Sequence, residues 1–99
     1  MNPFIVFELN DPAQNEIVRN GLAISQYYAA WLSNGIRYEL PSNCVWKLNS
    51  DLDTALSDMK NLINSLNQNP QYAGLRLIKC IVLSNTPWAG IPVEPPKQA

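Results

Sequence analysis

The side chains available for chemistry are few and of particular kinds. The 99-residue chain contains no histidine, two cysteines, eight aspartates and glutamates together, and seven lysines and arginines. Without imidazole there is no histidine-based triad, no histidine acid–base work and no ordinary zinc enzyme site. Cys44 and Cys80 are far apart with no C-x-x-C spacing, so they read as small core residues rather than metal ligands. Carboxylate, hydroxyl, thiol, tyrosine and lysine chemistry remains. A serine or cysteine nucleophile needs a base within hydrogen-bond reach, and no spacing singles out Ser25, Ser42 or Cys44. The glycines at 21, 35, 74 and 90 are scattered, which excludes a glycine-rich phosphate loop.

The carboxylate with the most suggestive setting is Glu8, inside the apolar run Phe4 to Leu9. With Lys47 and Lys79 on the two neighbouring strands it reads as an ion-pair cluster on a sheet face. The functional alternative is a metal or phosphate site with Asp11 as a second ligand. Asp11 is already explained as a helix cap, ahead of Pro12 and with Gln14 as its reciprocal partner. Tyr27, Tyr28 and Trp31 could stack on bases, but only Arg19 and Arg37 lie near them, so they read as core and dimer-packing residues. A net charge of −1 and a pI near 5.1 leave no broad basic footprint for nucleic acid.

The elements that must position these groups follow from periodicity and caps. Phe4 to Leu9 is a strand with Ile5, Phe7 and Leu9 on one side and Phe4, Val6 and Glu8 on the other. Asp11-Pro12 starts a helix carrying Ile17, Gly21, Ile24, Tyr28 and Trp31 to a stop at Asn34-Gly35. Gly21 inside it implies a close approach of helix to sheet. Ile36 to Leu40 and Cys44 to Leu48 alternate around Pro41-Ser42-Asn43 and form a hairpin. Ser50 and Asp53 box the start of a second helix with the stripe Leu52, Leu56, Met59, Ile63 and Leu66, and Leu75 to Leu83 is the last strand.

This order predicts an α+β, ferredoxin-like βαββαβ fold: one four-stranded antiparallel sheet, in the order fourth, first, third, second, with both helices on one face. That strand order keeps Cys44 and Cys80 apart as free thiols. Residues 1–86 make the domain and 87–99 a proline-rich arm, whose Trp88 and Ile91 suggest docking. The open face collects Phe4, Val6, Glu8, Arg37, Glu39, Val45, Lys47, Leu77, Lys79 and Ile81, too apolar to be left in water, so a homodimer or a covering arm is expected. The expected interface residues are Tyr27, Trp31, Trp88 and Ile91. The start of the chain lacks the features of a signal peptide and no apolar run approaches ~20 residues, so a cytoplasmic protein without a membrane span is expected.

The opening strand Ile5-Val6-Phe7-Glu8-Leu9, the strand Cys44-Val45-Trp46-Lys47-Leu48, the capped helix after it and a final strand leading to Trp88 resemble the SinR-like and VapD-like relatives of the small CRISPR-associated adaptation endonucleases. In those groups the first strand ends in an aromatic, an Asp and an apolar residue; here Glu8 replaces the Asp. The resemblance implies a dimer whose first-strand carboxylates face each other and can hold a divalent metal for phosphodiester hydrolysis. Glu is one methylene longer than Asp, and metal sites tolerate misplacement poorly. The leading expectation is therefore a non-catalytic dimeric interaction or regulatory module of this type, related to defence or toxin–antitoxin systems. It needs no cofactor and has a protein partner that the sequence does not identify. The alternatives are a metal-dependent ribonuclease using Glu8 with Mg²⁺ or Mn²⁺, acting on RNA, and a small inhibitor that binds another protein.

Overall fold

The computed structural model describes residues 2–84, so the arm at 87–99, with Trp88 and Ile91, lies outside the described residues. It shows a small α+β protein: β1 (Pro3–Leu9), α1 (Asn15–Ile24), β2 (Ala30–Ser33), β3 (Ile36–Glu39), β4 (Cys44–Trp46), α2 (Leu52–Asn67) and β5 (Leu77–Ser84). The strands form an antiparallel three-stranded sheet in the order β4-β1-β5 and a separate β2-β3 hairpin. No helix among the described residues is long and apolar enough to cross a membrane.

The expected alternation of β1 holds. Ile5, Phe7 and Leu9 are buried, and with Val18 and Leu22 of α1, Ala55, Met59 and Ile63 of α2, Val45, Tyr27 and Leu75 they form one core. The α2 stripe is slightly rotated from the expected one: Met59 is fully buried and Leu56 only half so. Its cap is Asp51 rather than Ser50, with the carboxylate accepting from the Thr54 amide at 2.6 Å. Asp11 caps a single 3-10 turn, Pro12–Gln14, that leads into α1, and accepts from the Ala13 amide.

The Asp51 cap gives a pH dependence with a definite sign. Its hydrogen bonds with Thr54 hold the carboxyl below its ordinary value. A depressed folded pKa adds stability above the unfolded value and loses it as pH falls through the folded one. Melting temperature should therefore drop below pH ~4 partly through this residue, and Asp51→Asn, which keeps a cap that does not titrate, should flatten that drop; an identical acid limb in the variant would show that the cap does not contribute.

Between residues 25 and 46 the chain departs from the expectation. The first helix stops at Ile24, ten residues before Asn34-Gly35, because Gln26 takes a left-handed backbone conformation (φ 68°). The Gln26 amide donates to the Ala23 carbonyl and the Tyr27 amide to that of Leu22, closing the helix end and turning Tyr27 into the core. Asn34 and Gly35, with φ of 52° and 77°, are instead the tight turn of the β2-β3 hairpin. Two consecutive positive φ values match the strand twist, which is why Asn-Gly favours such turns. Helical spacing of Tyr28 and Trp31 thus has no meaning here, and Ile24, expected on the core face, is 87% exposed.

The four-stranded single sheet is corrected in consequence. β3 pairs with β2, not β4, and the far edge of β4 is occupied by one residue, Tyr28, whose amide and carbonyl exchange hydrogen bonds with Trp46. Gly21 allows a close approach of helix to helix rather than helix to sheet: a Cβ there would lie 2.7 Å from Leu62 Cδ1 of α2. Both cysteines are free, Cys44 on β4 and Cys80 on β5, with β1 between them.

Candidate functional site

The sheet has one face under the helices and one without them. Strand register fixes which residues lie on the second: Phe4, Val6 and Glu8 of β1, opposite Leu83, Ile81 and Lys79 of β5 in that order, with Trp46 and Cys44 of β4 beside Phe4 and Val6. A register shift at Glu8/Leu9 adds one residue to β5 and turns Leu77 to the core side, and Val45, paired with Ile5, is likewise in the core. Neither belongs to the open face as expected. Arg37 and Glu39 pair with each other on the hairpin.

The hairpin covers half of this face. Trp31 of β2 meets Trp46 edge-on with ring centroids 4.4 Å apart and lies 5.5 Å from Phe4, while Phe4 stacks on Trp46 at 6.0 Å. Tyr28 completes the cluster 5.1 Å from Trp46, and the Trp46 indole Nε1 donates to the Ala30 carbonyl at 2.6 Å. The β4 side is therefore closed. The β1-β5 side is bare: Val6, Ile81 and Leu83 are 36%, 59% and 52% exposed. Three large aliphatic side chains adjoining on one sheet face are more than the scattered exposure ordinary for a surface.

At one end of the bare half Glu8 stands opposite Lys79. The expected flanking by Lys47 is not found. β4 runs antiparallel to β1 with Trp46 opposite Phe4, so Lys47 lies at the far end from Glu8, and its side chain instead sits 3.9 Å from Asp58 and 5.2 Å over the Tyr27 ring. The ion pairs among the described residues are Arg37–Glu39 and Lys47–Asp58. Asp11 is engaged as the cap, and no group of three potential ligands is found among the described residues.

Of the expected interface residues, Tyr27 is corrected. It is 3% exposed, its hydroxyl donates to Asp58 at 2.7 Å, and burial followed by that carboxylate pushes its pKa up. It clips α1's end to α2 and offers no surface. Trp31 does lie on the open face, as the roof over β4. Trp88 and Ile91 lie outside the described residues. Alternation placed Val6 and Ile81 on this face; Leu83 continues the same β5 alternation and completes the patch. Burial raises the Cys44 thiol to about 11, and that of Cys80 upward too, which suits inert thiols rather than nucleophiles.

A second concavity, lined by Asn10, Asp11, Gln14, Gln71, Tyr72, Gly74 and Leu75, is a polar cleft. Asn10 is spent there as a latch: its amide donates to the Gly74 carbonyl and accepts from the Arg76 amide. No family model, curated protein or solved structure matches the chain.

Proposed function

We propose that the protein is a non-catalytic, homodimeric interaction module on a ferredoxin-like scaffold, in which the short bridge at Tyr28 stands in for the fourth strand and the β2-β3 hairpin is an insertion. The observation that carries this reading is the half-covered sheet face, closed by Trp31 over β4 and bare over Val6, Ile81 and Leu83. An apolar sheet face is stable in water only when something packs on it. The titratable groups nearby support a binding role rather than catalysis. Glu8 has a lysine for its cross-strand neighbour, Asp11 is occupied by a backbone amide, and the thiols are burdened by burial.

Two measurements test the reading together. Sedimentation should give twice the 11.1 kDa chain mass at micromolar concentration. Incubation with single-stranded RNA and Mg²⁺ or Mn²⁺ should leave the RNA intact, with the wild type and Glu8→Ala indistinguishable. Metal-dependent cleavage lost in Glu8→Ala would replace this reading by the ribonuclease one; a monomer at all concentrations would favour a protein that binds a different partner.

A further inference from the structure

Resting on the homodimer reading, we infer a specific arrangement of the two copies: their bare half-faces pack on each other about a two-fold axis that runs along the strands between β1 and β5, so that Glu8 of each subunit lies over Lys79 of the partner subunit. The partner on this surface is thus a second copy of the chain, and charge complementarity selects it.

The register defines two rows across the bare half, Val6–Ile81 and Glu8–Lys79, and a third, Phe4–Leu83, whose Phe4 lies against Trp31 at the edge of the roof. A rotation about an axis along the strands exchanges the positions of β1 and β5 while keeping each row at its own height. Val6 then faces Ile81 of the partner subunit, and the one acid and one base of the face meet their opposites twice. Stacked sheets lie ~10 Å apart, a gap that a Glu and a Lys reaching from opposite sides can bridge. Neither residue is consumed within its own subunit, since the ion pairs among the described residues are Arg37–Glu39 and Lys47–Asp58.

The covered half decides against the other symmetric arrangement. An axis running across the strands would stack β1 on β1 and β4 on β4, bringing the two Trp31 roofs into the same space and, when centred on the Glu8 row, carboxylate over carboxylate. With the axis along the strands, β4 of each subunit falls outside β5 of the other, and each roof stands beside the partner's edge strand. The roof therefore stays clear of the partner's roof, and the bare halves meet with acid over base. Such a dimer does not bring its two Glu8 carboxylates together, so it does not assemble the paired-carboxylate metal site that the sequence resemblance implies.

The sign of one neutral substitution separates the two arrangements. Glu8→Gln removes two ion pairs if acid faces base and should weaken the dimer roughly three- to thirty-fold in Kd by sedimentation equilibrium; if acid faces acid it should tighten it. Glu8→Lys and Lys79→Glu should each dimerise poorly alone and form a heterodimer when mixed, which shows that the charges act between subunits. A wild-type dimer that is unchanged or tightened by Glu8→Gln overturns this arrangement while leaving the homodimer reading intact. A wild type that remains monomeric at millimolar concentration overturns both and gives the face to another protein or to residues 85–99.

Discussion

Phe7→Ala should cost about 3–5 kcal/mol of folding stability, the range for truncating a fully buried aromatic. Phe7 is 1% exposed at the centre of β1, the strand bonded on both edges, and its side chain fills the space beneath α1 and α2. The surrounding residues come from four elements fixed by their own hydrogen bonds, so the site cannot collapse fully and a cavity term adds to the lost transfer energy. Against a total of ~5–15 kcal/mol for a small domain this is a large share. The melting temperature should fall by more than ~10 °C, and chemical denaturation should show a lower midpoint with an unchanged slope. Phe7→Leu, which keeps most of the volume, should cost under ~1.5 kcal/mol. A Phe7→Ala protein melting within a few degrees of wild type would mean that β1 does not bury this face.

Legibility from sequence followed how local each decision is. β1 and α2 can be read because their patterns are written in their own residues: strict alternation from Phe4 to Leu9, and apolar spacing from Leu52 to Leu66, with the cap displaced by one residue from Ser50 to Asp51. The end of α1 could not, because the residue that takes the left-handed turn is Gln26 and not a glycine. What stabilises it there is tertiary: Tyr27, the next residue, gains the core and the Asp58 carboxylate. Once α1 is carried too far, Asn34-Gly35 is met as a helix stop, although flanking β-formers make the same pair a hairpin turn. The register shift near Ile78 is equally silent, and it moves Leu77 from the open face to the core side.

The candidate site inherits this division. Period-two counting alone places Val6, Glu8, Lys79 and Ile81 on one face, which works where strands are regular. Lys47 cannot be placed from its strand alone, because the register decides: it lies opposite Pro3, five residues along β1 from Glu8, and an odd offset turns it to the core side toward Asp58. The roof over β4 has no local signal, because the spacing of Tyr28 and Trp31 reads as helical and Trp31 instead lies on β2. Yet that roof divides the face into a closed and a bare half, and the division gives the dimer axis its direction.

Trp46→Ala should therefore reach further than its own burial. Truncation of this nearly buried residue should cost about 3–5 kcal/mol, and it removes the single side chain on which Phe4, Tyr28 and Trp31 all converge. It also takes away the donor to the Ala30 carbonyl, a side-chain hydrogen bond that holds β2 to the sheet. A two-stranded hairpin is marginal in water without packing. The hairpin should then loosen before the sheet does: amide exchange should accelerate across residues 30–39 by more than in β1 or α2. Trp46→Phe separates the two contributions, since it keeps ring contacts but leaves the Ala30 carbonyl without its donor, at a cost of about 1–3 kcal/mol. Uniform acceleration over the whole chain in Trp46→Ala would mean that hairpin and sheet melt as one unit. A loosened roof would also free the β4 side of the face, so a dimer that depends on its shape should weaken in Trp46→Ala along with the hairpin.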